Sequence, residues 1–176
     1  LDLTGTNYFI NSDGTYIEQD KLYVWSRILA SAREADVFTS GREEIGSTDG
    51  FEVFDVETPE KVGTMIAKRI INQLKAKAPK GGTFPAVIGT NVVGVFIHEA
   101  FGDAAEADAI LSNMSVLRDK IGKQVGVPGV TVIDDPTMEG LRGSFPYDSE
   151  GTRTRRRVIV RDGILKEYYQ SLETAA

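Results

Sequence analysis

The sequence predicts an α+β chain, mainly antiparallel sheet with two principal helices, divided between two lobes. Three observations predict it. Extended and helical patterns segregate along the chain instead of alternating, which argues against parallel βαβ units. Asn11-Ser12-Asp13-Gly14 and Arg161-Asp162-Gly163 are hairpin turn signals set between β-rich runs. One capped, amphipathic helix pattern, Pro59 to Lys77, precedes a stretch broken by Pro79, Gly81 and Gly82.

The elements follow in order. Thr6 to Ile10 is β-branched and aromatic, and Thr15 to Glu18 resumes an extended pattern after the first turn, giving a hairpin. In the next segment Leu22, Trp25, Leu29 and Ala32 have helical spacing, whereas Tyr23, Val24, Trp25 and Ile28 favour a strand; the flanking turn signals tip the reading to a strand. Ile45 leads into the turn Ser47-Thr48-Asp49-Gly50, and Phe51 to Val56 reads as another strand. Thr58 is a suitable N-cap and Pro59 suits the first helical position. Val62, Met65, Ile66, Ile70 and Leu74 then share one helical face, and Lys75 and Lys77 complement the negative end of the dipole.

Past the 77–82 boundary, Phe84 to Gly89 has the composition of a short buried strand. Thr90 or Asn91 can cap a second helix reaching about Asn113. Val130 to Ile133 is a short strand, Asp134 to Thr154 a long Gly- and Pro-rich loop, and Arg157–Arg161 with Ile164–Tyr169 the closing hairpin.

Composition narrows the function classes. The chain has 176 residues, 41% of them hydrophobic, enough for one sizeable core or two small ones. A net charge of −6 gives no pull toward nucleic acid. Arg153, Arg155, Arg156 and Arg157 are a local basic cluster, read as a charged loop entering an edge strand. No apolar run approaches the ~20 residues that span a bilayer, and the start has no basic region followed by an apolar core. Neither nucleic acid nor membrane is therefore an expected partner, and a cytoplasmic setting is the default. The chain holds no cysteine, which excludes disulfides and any thiolate metal ligand from within it. It begins without Met and shows no natural stop, so a piece of a longer chain is expected.

The only histidine is His98, followed by Glu99, within Val95-Phe96-Ile97-His98-Glu99-Ala100-Phe101-Gly102-Asp103. A His-Glu pair on an apolar helix opens a metallopeptidase motif: imidazole binds zinc and the adjacent carboxylate takes a proton from water. The same dipeptide also occurs on ordinary solvated helices. The usual second-ligand position, four residues on, is Gly102, which cannot coordinate, so the next candidate is Asp103. In a straight helix, five residues at ~100° each carry Asp103 roughly 140° around from His98. A shared metal therefore requires a bulge or break near Gly102. Glu99, Asp103 and Glu106 would otherwise form an acidic stripe on one face. Asp134-Asp135-Pro136 and Asp148-Ser149-Glu150 add carboxylates in the Gly-rich loop, where turn chemistry accounts for them as well as a cleft does.

Gly94-Val95-Phe96-Ile97-His98-Glu99-Ala100-Phe101-Gly102 resembles the signature of the TldD/PmbA peptidases, also called modulators of DNA gyrase, whose active members carry His-Glu-x-x-x-His. The resemblance runs through Ala104 to Asp108, Gly122 to Val125, Val132 to Pro136, Gly143 to Gly151 and Arg161 to Lys166, with Asn11-Ser12-Asp13-Gly14-Thr15 upstream. It implies a middle segment of a longer chain: residues 1–80 end an N-terminal lobe and 81–176 start a C-terminal, catalytic-type lobe. It implies zinc as cofactor, His98 as a zinc ligand, Asp103 at the second-ligand position and Glu99 as general base. A further cysteine ligand lies downstream in active members, and Asp148 and Glu150 become candidates for the substrate cleft. The implied substrates are small or unfolded peptides in a chamber closed by two subunits, a homodimer or a pairing with a paralogue.

Asp103 stands where active members have histidine. Three explanations compete: a weakened His/Asp zinc site, a deliberate substitution, or a natural non-catalytic partner subunit. On this reading the chain alone has little or no peptidase activity.

Overall fold

A computed structural model describes residues 2–176, which form two compact units, one up to residue 82 with 138–144, and the other 83–137 with 145–176. Helices and antiparallel sheets are both present, as the α+β reading requires.

In the first unit, β1 (Asp2–Ile10), β2 (Tyr16–Glu34) and β3 (Val37–Ser47) form an antiparallel meander in that order. The β1–β2 turn is locked by Asn11, whose Oδ1 accepts from the backbone N–H groups of Asp13 at 3.1 Å and Thr15 at 3.0 Å. This is the turn role for which Asn is selected. The ambiguous segment around Trp25 is strand, and its burial alternates along the length of β2 as a two-faced sheet demands.

Most of β3 is not anticipated by the sequence. The β2–β3 turn is Ala35-Asp36, with Ala35 at φ 51°, a conformation normally signalled by Gly or Asn. Charged Arg42, Glu43 and Glu44 further disguise the strand. They are accommodated by ion pairs, Arg27–Glu44 at 3.0 Å and Arg69–Glu43 at 2.7 Å.

Phe51 to Val56 is not a strand. It contains a short helix, α1 (Val53–Val56), in which Phe51 and Phe54 meet at i,i+3 spacing with ring centroids 6.0 Å apart. The next helix, α2 (Pro59–Leu74), starts as expected: the Thr58 side chain accepts from Lys61 N, and Pro59 opens the first turn. It packs on β2 and β3, burying Val62, Ile66 and Ile70 with Val24. Met65, placed on that face by periodicity, is 40% exposed at its border. Gly41 lies beneath Ile70, where a Cβ would come within 3.4 Å. Segment 138–144 belongs to this unit: Thr48 N donates to Gly140 O at 3.3 Å.

In the second unit, β4 (Val132–Asp134), β5 (Arg157–Arg161) and β6 (Ile164–Leu165) form a small antiparallel sheet. The Asp162-Gly163 turn has both residues at positive φ, 50° and 77°, as a two-residue hairpin requires. Ala105, Ala107, Leu117, Ile159, Val160, Leu165 and Tyr168 make its core, and the Tyr168 hydroxyl donates to Leu117 O at 2.6 Å.

Two expectations fail here. Phe84 to Gly89 is neither strand nor buried; among the described residues no strand pairs with it, and Val87 is fully exposed. The single helix expected from Thr90 to about Asn113 is instead broken. It runs as α3 (Thr90–Ile97), a π-turn (His98–Gly102), a 3-10 turn (Asp103–Ala105) and α4 (Ala107–Leu111). Its N-cap is Gly89, which offers no side-chain bond. The break before α4 falls at Glu106, whose ψ of 131° is extended. There the backbone pairs with the C-terminal segment: Tyr169 N donates to Ala105 O and Ala107 N to Tyr169 O, both at 2.9 Å. These bonds replace helical ones and satisfy the backbone on both sides of the break. A four-residue helix, α5 (Leu172–Ala175), closes the chain with a capping box at Ser171.

Candidate metal centre

The bulge that a shared metal requires is present at the predicted place. His98–Gly102 is a π-turn in which Asp103 N donates to His98 O, five residues back instead of four. The wider turn swings Asp103 onto the imidazole side, leaving His98 Nε2 and Asp103 Oδ1 3.6 Å apart. Two ligands held at ~2.0–2.1 Å around a tetrahedral zinc lie about 3.4 Å from each other, so the pair is close to the spacing that one ion needs. Both side chains are accessible, 67% and 54% exposed. Gly102 holds an ordinary helical φ of −56°, so the bulge does not depend on its conformational freedom.

The donors suit zinc in kind but not in number. Among the described residues, no group of three or more His, Cys, Asp or Glu side chains gathers to hold a metal. A zinc centre takes at least three protein ligands, whereas His98 and Asp103 are only two donors of a suitable kind. Glu99, on the same π-turn, is exposed.

Beside the pair lies an open cleft of about 460 Å³, lined by Gly94, Ile97, His98, Gly102, Glu106, Val132, Ile133, Asp134 and Tyr169. The broken helix supplies one wall, β4 another, and Tyr169 enters through its backbone pairing with Ala105 and Ala107. Burial pushes the Asp134 carboxyl above its ordinary range; the Arg157 guanidinium opposes this and the Asp135 charge adds to it. Burial likewise drives the Tyr169 phenol up to about 12, helped by the nearby Asp134 carboxylate. Asp135 is held low instead, chiefly by hydrogen bonds from the Thr137 hydroxyl at 2.6 Å and backbone N–H at 3.1 Å.

Asp148 and Glu150 are not among the residues lining this cleft. Asp148 Oδ1 accepts from Glu150 N at 2.9 Å and Thr152 N at 2.8 Å, closing a tight turn. Glu150 Oε2 accepts from Leu172 N at 2.9 Å, at the start of α5. The arginine cluster faces carboxylates: Arg155 pairs with Glu167 at 3.8 Å and Arg156 with Asp135 at 3.6 Å. Tyr169 went unnoticed in the sequence, since a second tyrosine at the end of a hairpin carries no local signal of a cleft.

Family models match both units of sequence. Residues 1–77 match the PmbA/TldA metallopeptidase central domain, and residues 81–176 match the PmbA/TldA metallopeptidase C-terminal domain. The chain belongs to the TldD/PmbA family. A metalloprotease of Methanothermobacter thermautotrophicus is 39% identical over 99% of this chain, and a zinc metalloprotease TldD homolog of Saccharolobus solfataricus is 39% identical over 80% of it. Among solved structures, a Thermotoga maritima protein named as a modulator of a DNA gyrase superposes with a TM-score of 0.77 at 26% identity, covering 93% of this chain and 37% of that one. The chain spans 38% of the Methanothermobacter relative and 31% of the Saccharolobus one. Among the described residues, no helix is long and apolar enough to cross a membrane.

Proposed function

We propose that this chain carries the metal-binding turn of a zinc-dependent peptidase of TldD/PmbA type, acting in the cytoplasm on small or unfolded peptides. The observation that carries the reading is the π-turn that sets His98 Nε2 and Asp103 Oδ1 3.6 Å apart. His98 and Asp103 would hold the ion, together with a ligand from outside these residues. Zinc, when bound, polarises a peptide carbonyl and lowers the pKa of water. Glu99, on the same turn, accepts the proton of the attacking water at its carboxylate and returns it to the leaving amine. The cleft has room for a peptide segment, with Ile97, Val132 and Ile133 offering apolar contact and Tyr169 a hydroxyl. With one ligand changed and another outside the chain, the 176 residues by themselves hydrolyse little or no peptide.

A second reading is favoured by the same short donor set: a non-catalytic subunit that closes the chamber of a catalytic paralogue. Zinc titration by calorimetry, with His98→Ala as control, tests the first. The expected result is weak one-to-one binding that the substitution abolishes; heat that is absent, or unchanged in His98→Ala, removes the metal role. Asp103→His, in a chain that also contains the downstream part, separates the two readings. Gain of peptide hydrolysis, lost again with Glu99→Gln, identifies an altered enzyme, and no gain identifies the partner subunit.

A further inference from the structure

The second unit holds another cleft, of about 520 Å³, lined by Ile110, Leu111, Arg118, Asp119, Ile121 and Tyr168. It shares no lining residue with the cleft beside His98. Helix α4 supplies Ile110 and Leu111, and the loop after it supplies Arg118, Asp119 and Ile121. Tyr168 comes from the segment that follows β6. Its hydroxyl is already donated to Leu117 O at 2.6 Å, so it offers the cleft no free donor.

The loop is held in place from both ends. Leu117 is buried in the core, Lys120 N donates to Leu117 O at 3.1 Å and Gly122 N to Leu165 O at 2.9 Å. Between these anchors Asp119 sits at φ 58°, a left-handed conformation that few residues other than glycine, asparagine and aspartate adopt. A loop fixed in this way loses little further freedom when a ligand binds.

The lining combines two chemistries. Ile110 packs against the core, while Leu111 and Ile121 are 65% and 53% exposed, so aliphatic surface stays open on both sides. Beside it stand one cation and one anion. Arg118 Nε and Asp119 Oδ2 are 3.7 Å apart, with side chains 52% and 85% exposed. That separation is too long for a hydrogen bond, and an exposed pair of this kind contributes little. Both groups therefore keep their hydrogen-bonding capacity for a ligand.

We infer that this cleft binds a free α-amino acid with a large apolar side chain. Arg118 takes the carboxylate through its guanidinium fork, Asp119 takes the ammonium, and the side chain lies on Ile110, Leu111 and Ile121. The charge pattern selects that class. A simple anion would meet Asp119 beside its arginine, and a simple cation would meet Arg118 beside its aspartate. In an α-amino acid the two opposite charges flank a single carbon, just as the two side chains here stand on neighbouring residues. The inference rests on this cleft alone and stands whether or not a metal binds at His98.

The test is calorimetric titration of the 176-residue chain with L-leucine in the presence of a metal chelator. The expected result is saturable one-to-one binding. Glycine, leucinamide (which lacks the carboxylate) and N-acetyl-leucine (which lacks the ammonium) should each bind about tenfold more weakly or worse, the scale of one partly buried aliphatic side chain or one charge-assisted hydrogen bond. Arg118→Ala and Asp119→Asn should weaken leucine binding to the same extent and leave melting unchanged, since asparagine tolerates the left-handed φ of position 119. Absence of saturable leucine binding overturns the inference, as does equal binding of glycine or survival of leucine binding in both variants. Equal binding of N-acetyl-leucine overturns it in favour of a plain anion site, and equal binding of leucinamide in favour of a cation site.

Discussion

Helices α2 and α3 are products of opposite sequence logic. The first has sixteen residues, a Thr58 cap, a proline in its opening turn, and an apolar stripe that buries Val62, Ile66 and Ile70 against the long hairpin. It is complete within the chain. The second has eight residues, a glycine at its cap, apolar side chains all round, and nothing buried. A helix that covers its stripe locally is stabilised by tertiary contacts it already makes. A helix that is apolar all round and exposed gains no such stabilisation, and α3 is also the helix that leads into His98. The contrast teaches that the two helices are specified differently: α2 by a stripe it buries within its own unit, α3 by apolar residues that stay exposed.

The sharpest way to break that comparison is by truncation at matched positions. Ile66→Ala removes a side chain that is 2% exposed and should lower stability by about 2–5 kcal/mol in urea unfolding. Val95→Ala, at a 62% exposed position, should stay within about 0.5 kcal/mol. Equal losses at the two positions would mean that α3 is buried in solution and the contrast is false.

A second pair of substitutions sharpens the contrast between a required glycine and a permissive one. Gly163 holds a φ of 77°, and a Cβ there would come within 2.5 Å of Gly126 O and 2.8 Å of Val127 O. Gly163→Ala should therefore destabilise by about 2–3 kcal/mol or more. Gly102→Ala meets only ordinary contacts, the nearest being His98 Nδ1 and Ile97 O at 3.7 Å. It should leave stability within about 1 kcal/mol and, on the proposed reading, leave zinc binding unchanged. Loss of zinc binding in Gly102→Ala would show that the π-turn is less robust than its helical φ suggests.

Legibility in the sequence follows the same division. Asn11-Ser12-Asp13-Gly14, Thr58-Pro59 and Asp162-Gly163 announce elements whose chemistry is local, and the structure places them where the sequence does. The β2–β3 hairpin is illegible because Ala35-Asp36 does the work of a glycine turn and because β3 carries charges that only its ion pairs explain. Phe51 to Val56 reads as a strand, yet Val53–Val56 forms a short helix, with Phe51 and Phe54 in ring contact at i,i+3 spacing. At the candidate site, the need for a bulge near Gly102 could be argued from helical angles alone. The break at Glu106 could not, because it depends on backbone pairing with Tyr169, 63 residues away along the chain.

Removing the cap of α2 tests how much of that helix is specified by its ends. Thr58→Ala deletes the acceptor for Lys61 N, a bond of 3.3 Å at an exposed position, and should cost about 1 kcal/mol. A loss near zero would assign the stability of α2 entirely to its buried stripe, making it still more dependent on packing and less on local signals.

The smallest effect tests whether Tyr169 sits in the cleft as the geometry has it. Its phenol is raised to about 12 from an ordinary value of 10.0, burial being the main cause and the Asp134 carboxylate the next. A group whose folded pKa is raised contributes stability that is fully present below its unfolded pKa and is lost as pH rises through the folded value, here from about 10 to 12. Two pKa units correspond to roughly 2.7 kcal/mol at most. The half-exposed ring and solvent screening reduce the expected figure to about 1 kcal/mol. Urea unfolding at about pH 9, below that window, and at about pH 11.5, well inside it, should show the wild-type chain losing about 1 kcal/mol more than Tyr169→Phe. Parallel losses would mean that the hydroxyl meets water freely, and Tyr169 would then no longer serve as a half-buried wall of the cleft beside His98.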